Sequence, residues 1–148
     1  MQNPSKELYT EILIHASAEK VWNILTDFSN YPNWNPFIRS IAGELAEGYT
    51  ISVNLQPPGG SAMKFTPVVL KVEKNKEFRW LGKLFFSGLF DGEHIFELKD
   101  NNDGTVTFVH HEQFKGILVR LLKNMLDTKT KQGFELMNQK LKELAEVS

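Results

Sequence analysis

The 148-residue chain contains no cysteine. That excludes disulfides, thiolate metal sites and a cysteine nucleophile, and it fits a reducing compartment. Long apolar runs are missing too; none approaches the roughly 18 residues of a membrane span. Met1 to Leu8 is polar and carries no apolar signal-peptide core. The expectation is a soluble, cytoplasmic protein with no transmembrane segment. Charge of one sign is not in excess. The net charge is −1 at neutral pH, and no basic groove with interleaved aromatics occurs, so nucleic acid is not an expected partner. A serine-centred elbow, a phosphate-cradling glycine loop and a paired-carboxylate motif are all absent from the sequence. With no internal repeat, linker or low-complexity tract, residues 1–148 read as one domain, large enough for a substantial core.

What is present is organised around the last stretch, Gly116 to Val147. Val119, Leu122, Leu126, Thr130, Phe134, Met137, Leu141 and Leu144 recur at steps of three or four, the spacing of an amphipathic helix. About 28 residues at 1.5 Å each predict a rod on the order of 40 Å long. The stripe thins at Thr130 and Gly133. Either this glycine sits on an exposed turn, or the small residues leave room between the helix and its support.

Upstream, Tyr9 to Ala16 alternates as a strand. Ser17 is placed to cap a short helix carrying Val21, Trp22, Ile24 and Leu25. A second helical turn near Tyr31 is closed off by Pro32 and Pro36, with Trp34 between them as a plug for the sheet. From Phe37 to Phe114 the pattern is strands and tight turns. The prediction is one strand, two short helices, six consecutive strands and a long helix. This is an α+β fold in which a curved seven-stranded antiparallel sheet wraps a long C-terminal helix.

In several blocks the sequence resembles the START-like, or SRPBCC, superfamily, and within it the polyketide cyclase/dehydrase-like bacterial branch. The first block runs from Ile14 to Phe28, with Val21-Trp22 and Asp27, and continues through Tyr31-Pro32-Asn33-Trp34-Asn35-Pro36-Phe37. The others are Phe78-Arg79-Trp80-Leu81-Gly82, Gly92 to Leu98, and His110 to Gly116. The resemblance implies a helix-grip fold with a cavity between sheet and helix. Members of the superfamily hold lipids, sterols, polyketides or plant hormones there, and only some are enzymes.

Within such a cavity the sharpest constellation is His94, His110 and Glu112. Alternation puts His94 on a face with Phe96 and Leu98, and His110 and Glu112 on a face with Phe108 and Phe114. Three readings stand: a structural hydrogen-bond network, a polar anchor for a ligand, or an acid–base pair with tuned pKa values. The wider ligand-binding set adds Phe78, Trp80, Phe96 and Phe108 from the strands. From the helix it adds Leu126, Thr130, Gly133, Phe134 and Met137. No metal site is expected, because the histidine and glutamate spacing fits no compact zinc motif, and no cofactor is implied. His15 and His111 fall on opposite strand faces and are expected to meet solvent. The apolar run Leu84 to Phe90 reads as buried strand ends, as a cavity rim or as a membrane contact. The leading functional expectation is binding of a hydrophobic or amphipathic small molecule. The alternatives are a polyketide cyclase/dehydratase-type enzyme using a cavity histidine, and a chaperone-activator-like interaction module.

Overall fold

The computed structural model describes residues 5–147. Strand β1 (Ser5–Ile14) leads into helix α1 (Ala18–Thr26). The hydroxyl of Ser17 accepts the Lys20 N–H at 3.1 Å, so the cap forms where the sequence places it. A 3₁₀ turn (Phe28–Asn30) and the single-turn helix α2 (Tyr31–Trp34) follow, with Pro32 in the first turn of α2. Asn35 is buried, and its side-chain oxygen accepts the N–H groups of Phe37 and Ile38 at 2.9 and 2.8 Å. That clamp turns the chain into strand β2 (Ile38–Ala42). Trp34 is half-buried, stacked edge-on against Tyr31.

The remaining strands are β3 (Ser52–Leu55), β4 (Met63–Phe65), β5 (Val68–Glu73), β6 (Glu77–Lys83), β7 (Asp91–Asp100) and β8 (Val106–Lys115). All pairings are antiparallel, in a five-stranded sheet of order β1-β8-β7-β6-β5 and a three-stranded sheet of order β2-β3-β4. The stretch from Met63 to Val72 is not one strand; it is divided at Pro67. Proline has no N–H for a ladder, so Met63–Phe65 pairs with β3 while the chain after Pro67 pairs with β6. The two sheets still touch. Thr50 bridges Val68, the Ile51 N–H donates to Pro67 O at 3.0 Å, and the Val69 N–H donates to Tyr49 O at 2.8 Å. The result is a curved antiparallel surface around the C-terminal helix.

That helix has three parts: α3 (Val119–Met125), a π turn (Leu126–Thr130) and α4 (Lys131–Ala145). The π turn follows from the spacing of the stripe. Leu122, Leu126, Thr130 and Phe134 are successive steps of four, and each step overshoots an α-helical turn by about 40°. One wider turn absorbs the drift and keeps the stripe on the sheet. Val119, Leu126, Thr130, Phe134, Met137 and Leu141 are buried. Leu144 is not; it is 38% exposed, and Ala145, four residues after Leu141, takes the buried place. Gly133 is buried rather than on an exposed turn. A Cβ there would lie 2.3 Å from Cδ1 of Phe37. The space left by the glycine is therefore filled by the Phe37 ring, which also packs on Phe134 at 5.4 Å between centroids.

Candidate functional site

The helix does not fill the sheet along its whole length. Beneath α3 and the π turn lies a cavity of about 260 Å³. Its walls are Val53, Leu55, Met63 and Phe65 from β3 and β4, Trp80 from β6, Leu84 and Phe90 from the loop after β6, and Phe114 from β8. Leu122, Met125, Leu126 and Thr130 close it from the helix side. The wall is almost wholly apolar. Lys83 reaches it from an exposed position, and His94 and Glu112 supply polar atoms from neighbouring strands.

His94 on β7 pairs directly across from Glu112 on β8, and Phe96 across from His110. The inward faces of the two strands therefore carry a continuous line of polar groups. Glu112 Oε1 lies 3.5 Å from His94 Nδ1. His94 Nε2 meets His110 Nε2 at 2.7 Å, and His110 Nδ1 meets Asn138 Oδ1 at 2.8 Å. Asn138 Nδ2 donates to Thr10 Oγ1 at 2.9 Å, and Thr10 Oγ1 donates to the carbonyl of His110 at 2.7 Å.

The inventory of donors and acceptors fixes the protons along this line. The Thr10 hydroxyl spends its proton on the carbonyl, so it accepts from the Asn138 amide nitrogen. Asn138 then presents its oxygen to His110, whose Nδ1 must carry the proton. His110 Nε2 is left as an acceptor and takes the Nε2 proton of His94. His94 Nδ1 therefore faces Glu112 with a free lone pair. For this chain to end without conflict, Glu112 must be the protonated acid.

Electrostatics agree. Burial pushes the Glu112 carboxyl up to about 8, and its side chain keeps only 14% of its surface exposed, towards the cavity. Burial holds His94 well below the ordinary imidazole range, with His110 and His111 adding to the effect. Burial also lowers His110, to about 3, against an opposing contribution from its bond to Asn138. The imidazoles lie between phenyl rings. His94 stacks on Phe96 at 4.4 Å and 6°, and His110 stacks on Phe134 at 4.1 Å and 2°. A charged ring there would exchange water for hydrocarbon, and desolvation dominates.

Gly92, opposite Phe114, makes room for the acid. A Cβ at this position would lie 2.3 Å from Glu112 Oε2.

The residues expected from sequence separate into two groups. His94, Glu112, Trp80, Leu126 and Thr130 line the cavity. His110, Phe78, Phe96, Phe108, Gly133, Phe134 and Met137 do not; they are buried in the packed core behind it or along α4. His110 touches the cavity only through His94. Alternation names the face a side chain takes, not whether the helix lies over it. Thr10, Gly92 and Asn138 were not foreseen. Each left a signal: Thr10 shares strand parity with Ile12 and Ile14, Gly92 shares it with His94, and Asn138 is four residues after Phe134 on the apolar face.

His111 needs a correction. It is on the outer face, as alternation requires, yet it is only 9% exposed. Glu97 bonds its Nε2 at 2.8 Å, Glu7 lies 3.7 Å from its Nδ1, and Tyr9 packs against the ring. Long side chains on adjacent strands cover it. His15 is exposed, with its ring beside Glu146. In the run from Leu84 to Phe90, Leu84 and Phe90 line the cavity, whereas Phe85 and Phe86 are 85% and 60% exposed. The run is therefore a rim with a bare tip rather than buried strand ends. Among the described residues no group of three histidine, aspartate or glutamate side chains is placed to hold a metal ion. No helix among the described residues is long and apolar enough to cross a membrane.

Comparison with known proteins agrees with this architecture. No curated protein matches the chain. Among solved structures, an aromatase/cyclase from a Streptomyces species superposes with a TM-score of 0.77 at 12% identity, over 97% of this chain and 94% of that one.

 Norcoclaurine synthase from Thalictrum flavum superposes with a TM-score of 0.75 at 12% identity, over 99% of this chain and 91% of that one. A hypothetical protein from Helicobacter pylori gives a TM-score of 0.78 at 15% identity, over 95% of this chain and 88% of that one. At such identities the likeness is one of fold. The sequence itself matches the family model described as polyketide cyclase / dehydrase and lipid transport over residues 5–146. The chain therefore belongs to the polyketide cyclase / dehydrase and lipid transport family.

Proposed function

We propose that the cavity binds a small, mainly apolar molecule whose single buried polar group is a neutral hydrogen-bond acceptor. The observation that carries this reading is an almost wholly apolar wall into which Glu112 and His94, 3.5 Å apart, bring their polar atoms together. Apolar walls supply affinity at roughly 25 cal/mol per Å² buried, and a few convergent polar groups orient the ligand. The volume of about 260 Å³ falls just under the usual lower bound of about 300 Å³ for drug-sized ligands, which favours a small ring system or a single chain. A ketone, ester or phenol oxygen suits the Glu112 proton. A carboxylate driven inward would meet a buried acid, while Lys83, the cation among the lining residues, stands at an exposed position.

The test uses the neutral fluorescent probe N-phenylnaphthylamine with the native protein. Saturable binding is expected, with displacement by aromatic ketones and phenols in preference to fatty carboxylates. Glu112→Gln retains a donor and should retain binding. Glu112→Leu removes the donor and should weaken ketone binding by about 1–3 kcal/mol. Equal affinity in the Leu variant, or no probe binding by the folded protein, refutes the reading.

The fixed proton order favours a second reading, an acid–base enzyme acting on carbonyl compounds. Glu112 would give its proton to a ligand carbonyl oxygen while His94 Nδ1 takes one from the adjacent carbon, forming an enol. The carboxylate and imidazolium left behind are neighbours, and proton return from His94 to Glu112 restores the starting state. The Streptomyces aromatase/cyclase with this fold makes ring closure through such an enol a natural extension. Exchange of ketone α-protons in deuterated water, followed by NMR, checks it. Loss of exchange in Glu112→Gln with binding intact supports catalysis, and absence of exchange in the wild type refutes it.

A further inference from the structure

The loop between β6 and β7 is closed by the Leu84 N–H donating to Phe90 O at 2.9 Å. Its tip carries Phe85 and Phe86, 85% and 60% exposed. The tip is held in place. The Ile117 N–H donates to Gly88 O at 3.1 Å, the Leu118 N–H donates to Leu89 O at 3.0 Å, and the Gly88 N–H donates to Asp91 Oδ2 at 3.0 Å. Those bonds bring it beside Ile117 and Leu121, 62% and 78% exposed. Four bare apolar side chains thus share one end of the molecule, at the mouth of the cavity.

Two further observations say what kind of surface covers this end. Phe85 has φ +65°. Among the described residues the other non-glycine residues with positive φ are Asn75 and Asn102, and asparagine tolerates that region whereas a bulky aromatic does not. The fold spends backbone strain to present Phe85 outward, a pattern that collects at functional positions. The charge around the tip is also mainly positive, with Glu7 sharing a surface hollow with Arg120 and Lys123. Lys83, Lys115, Arg120 and Lys123 are exposed. Among the described residues none of the four pairs with a carboxylate, and Asp91 is engaged with the loop backbone.

We propose that this tip is a docking site for an anionic lipid surface. Projecting phenylalanines need no complementary hollow when they enter a lipid interface, and the surrounding cations meet acidic headgroups as they do so. An acidic protein would match the charge equally, but it would have to supply hollows for both rings. The proposal rests on the exposed tip and its charge, not on what the cavity holds.

The test is co-sedimentation of the full chain with two kinds of vesicle. One is phosphatidylcholine alone, and the other is equal parts phosphatidylcholine and phosphatidylserine. Binding is expected to the mixed vesicles, weakly or not at all to phosphatidylcholine, and to fall with added salt. Arg120→Glu with Lys123→Glu should lower the partition at least about fivefold per charge. Phe85→Ser with Phe86→Ser should lower it about tenfold or more. None of these residues lines the cavity, so both variants should melt and bind the neutral probe like the wild type, which confirms that they fold. A wild-type protein that stays in solution with both vesicles overturns the proposal and leaves the tip to an acidic protein partner. Equal binding to both vesicles, or folded variants that bind as the wild type does, also overturns it.

Discussion

Raising the pH from 6.5 to 8 should destabilise the protein, and the size of the loss can be worked from the buried line of acids and bases. Glu112 titrates near 8 in the folded chain, against an ordinary value of 4.5. Between those values the native state keeps a proton that the unfolded chain has released, so stability falls as pH rises. His94 and His110 act in the opposite sense. Their folded values lie below the ordinary 6.5, so stability is lost as pH falls beneath 6.5. Where the windows overlap, two imidazoles outweigh one carboxyl and stability still climbs with pH. Above 6.5 Glu112 outweighs them. Each pH unit is worth about 1.4 kcal/mol per proton; with the unfolded histidines still half charged at 6.5 and the folded Glu112 half ionised at 8, the net decline from 6.5 to 8 comes to about 1 kcal/mol. Glu77 and Glu146, whose values are lowered, lose their contributions only under acid conditions. Tyr31, whose value is raised, matters only above 10. The assay is urea denaturation followed by tryptophan fluorescence at a series of pH values. A maximum near 6.5 is expected, and Glu112→Gln should flatten the falling limb. Wild-type stability that is level or rising from 6.5 to 8 would refute the protonated acid and with it the proton order assigned to the line.

Two other substitutions probe the packing. Gly133→Ala gains about 1 kcal/mol of helix propensity but drives a Cβ into the Phe37 ring, and overpacking costs about 1–3 kcal/mol; thermal melts should show a net loss, and a gain would mean that the ring is free to move. Met137→Ala empties a fully buried site and should cost about 2–5 kcal/mol in denaturant titration, whereas Leu126→Ala, on the cavity wall, should cost less because one side of Leu126 already lacks packing partners. Equal costs would argue that the cavity is filled.

The fold was legible because each of its signals is local. Ser17 caps, Pro36 lies just past the end of α2, strand alternation marks the inward faces, and the stripe from Val119 to Leu141 needs only its own spacing; Pro32, expected to break the helix, instead sits in the first turn of α2. The site was legible in part. Parity put His94, His110 and Glu112 on inward faces, and the pairing of β7 with β8 brought them together. Depth was not legible. Whether an inward residue meets the cavity or the core depends on where the helix crosses the sheet, and no spacing within a strand encodes that. For this reason His110, Phe108 and Met137 fall behind the cavity while Phe37, far away in sequence, fills the gap left by Gly133. The shielding of His111 is of the same kind, since its cover comes from Glu7 and Glu97 on flanking strands.

The π turn divides the long helix into two territories. Ahead of it and within it, Leu122, Met125, Leu126 and Thr130 face the cavity; beyond it, Phe134, Met137 and Leu141 face solid core. A substitution in the first territory reshapes the chamber and leaves the closed packing alone, while one in the second does the reverse. A lineage carrying this fold can therefore explore new contents for the chamber by trial at a few helix positions, with the residues that decide whether the chain folds at all kept out of the experiment.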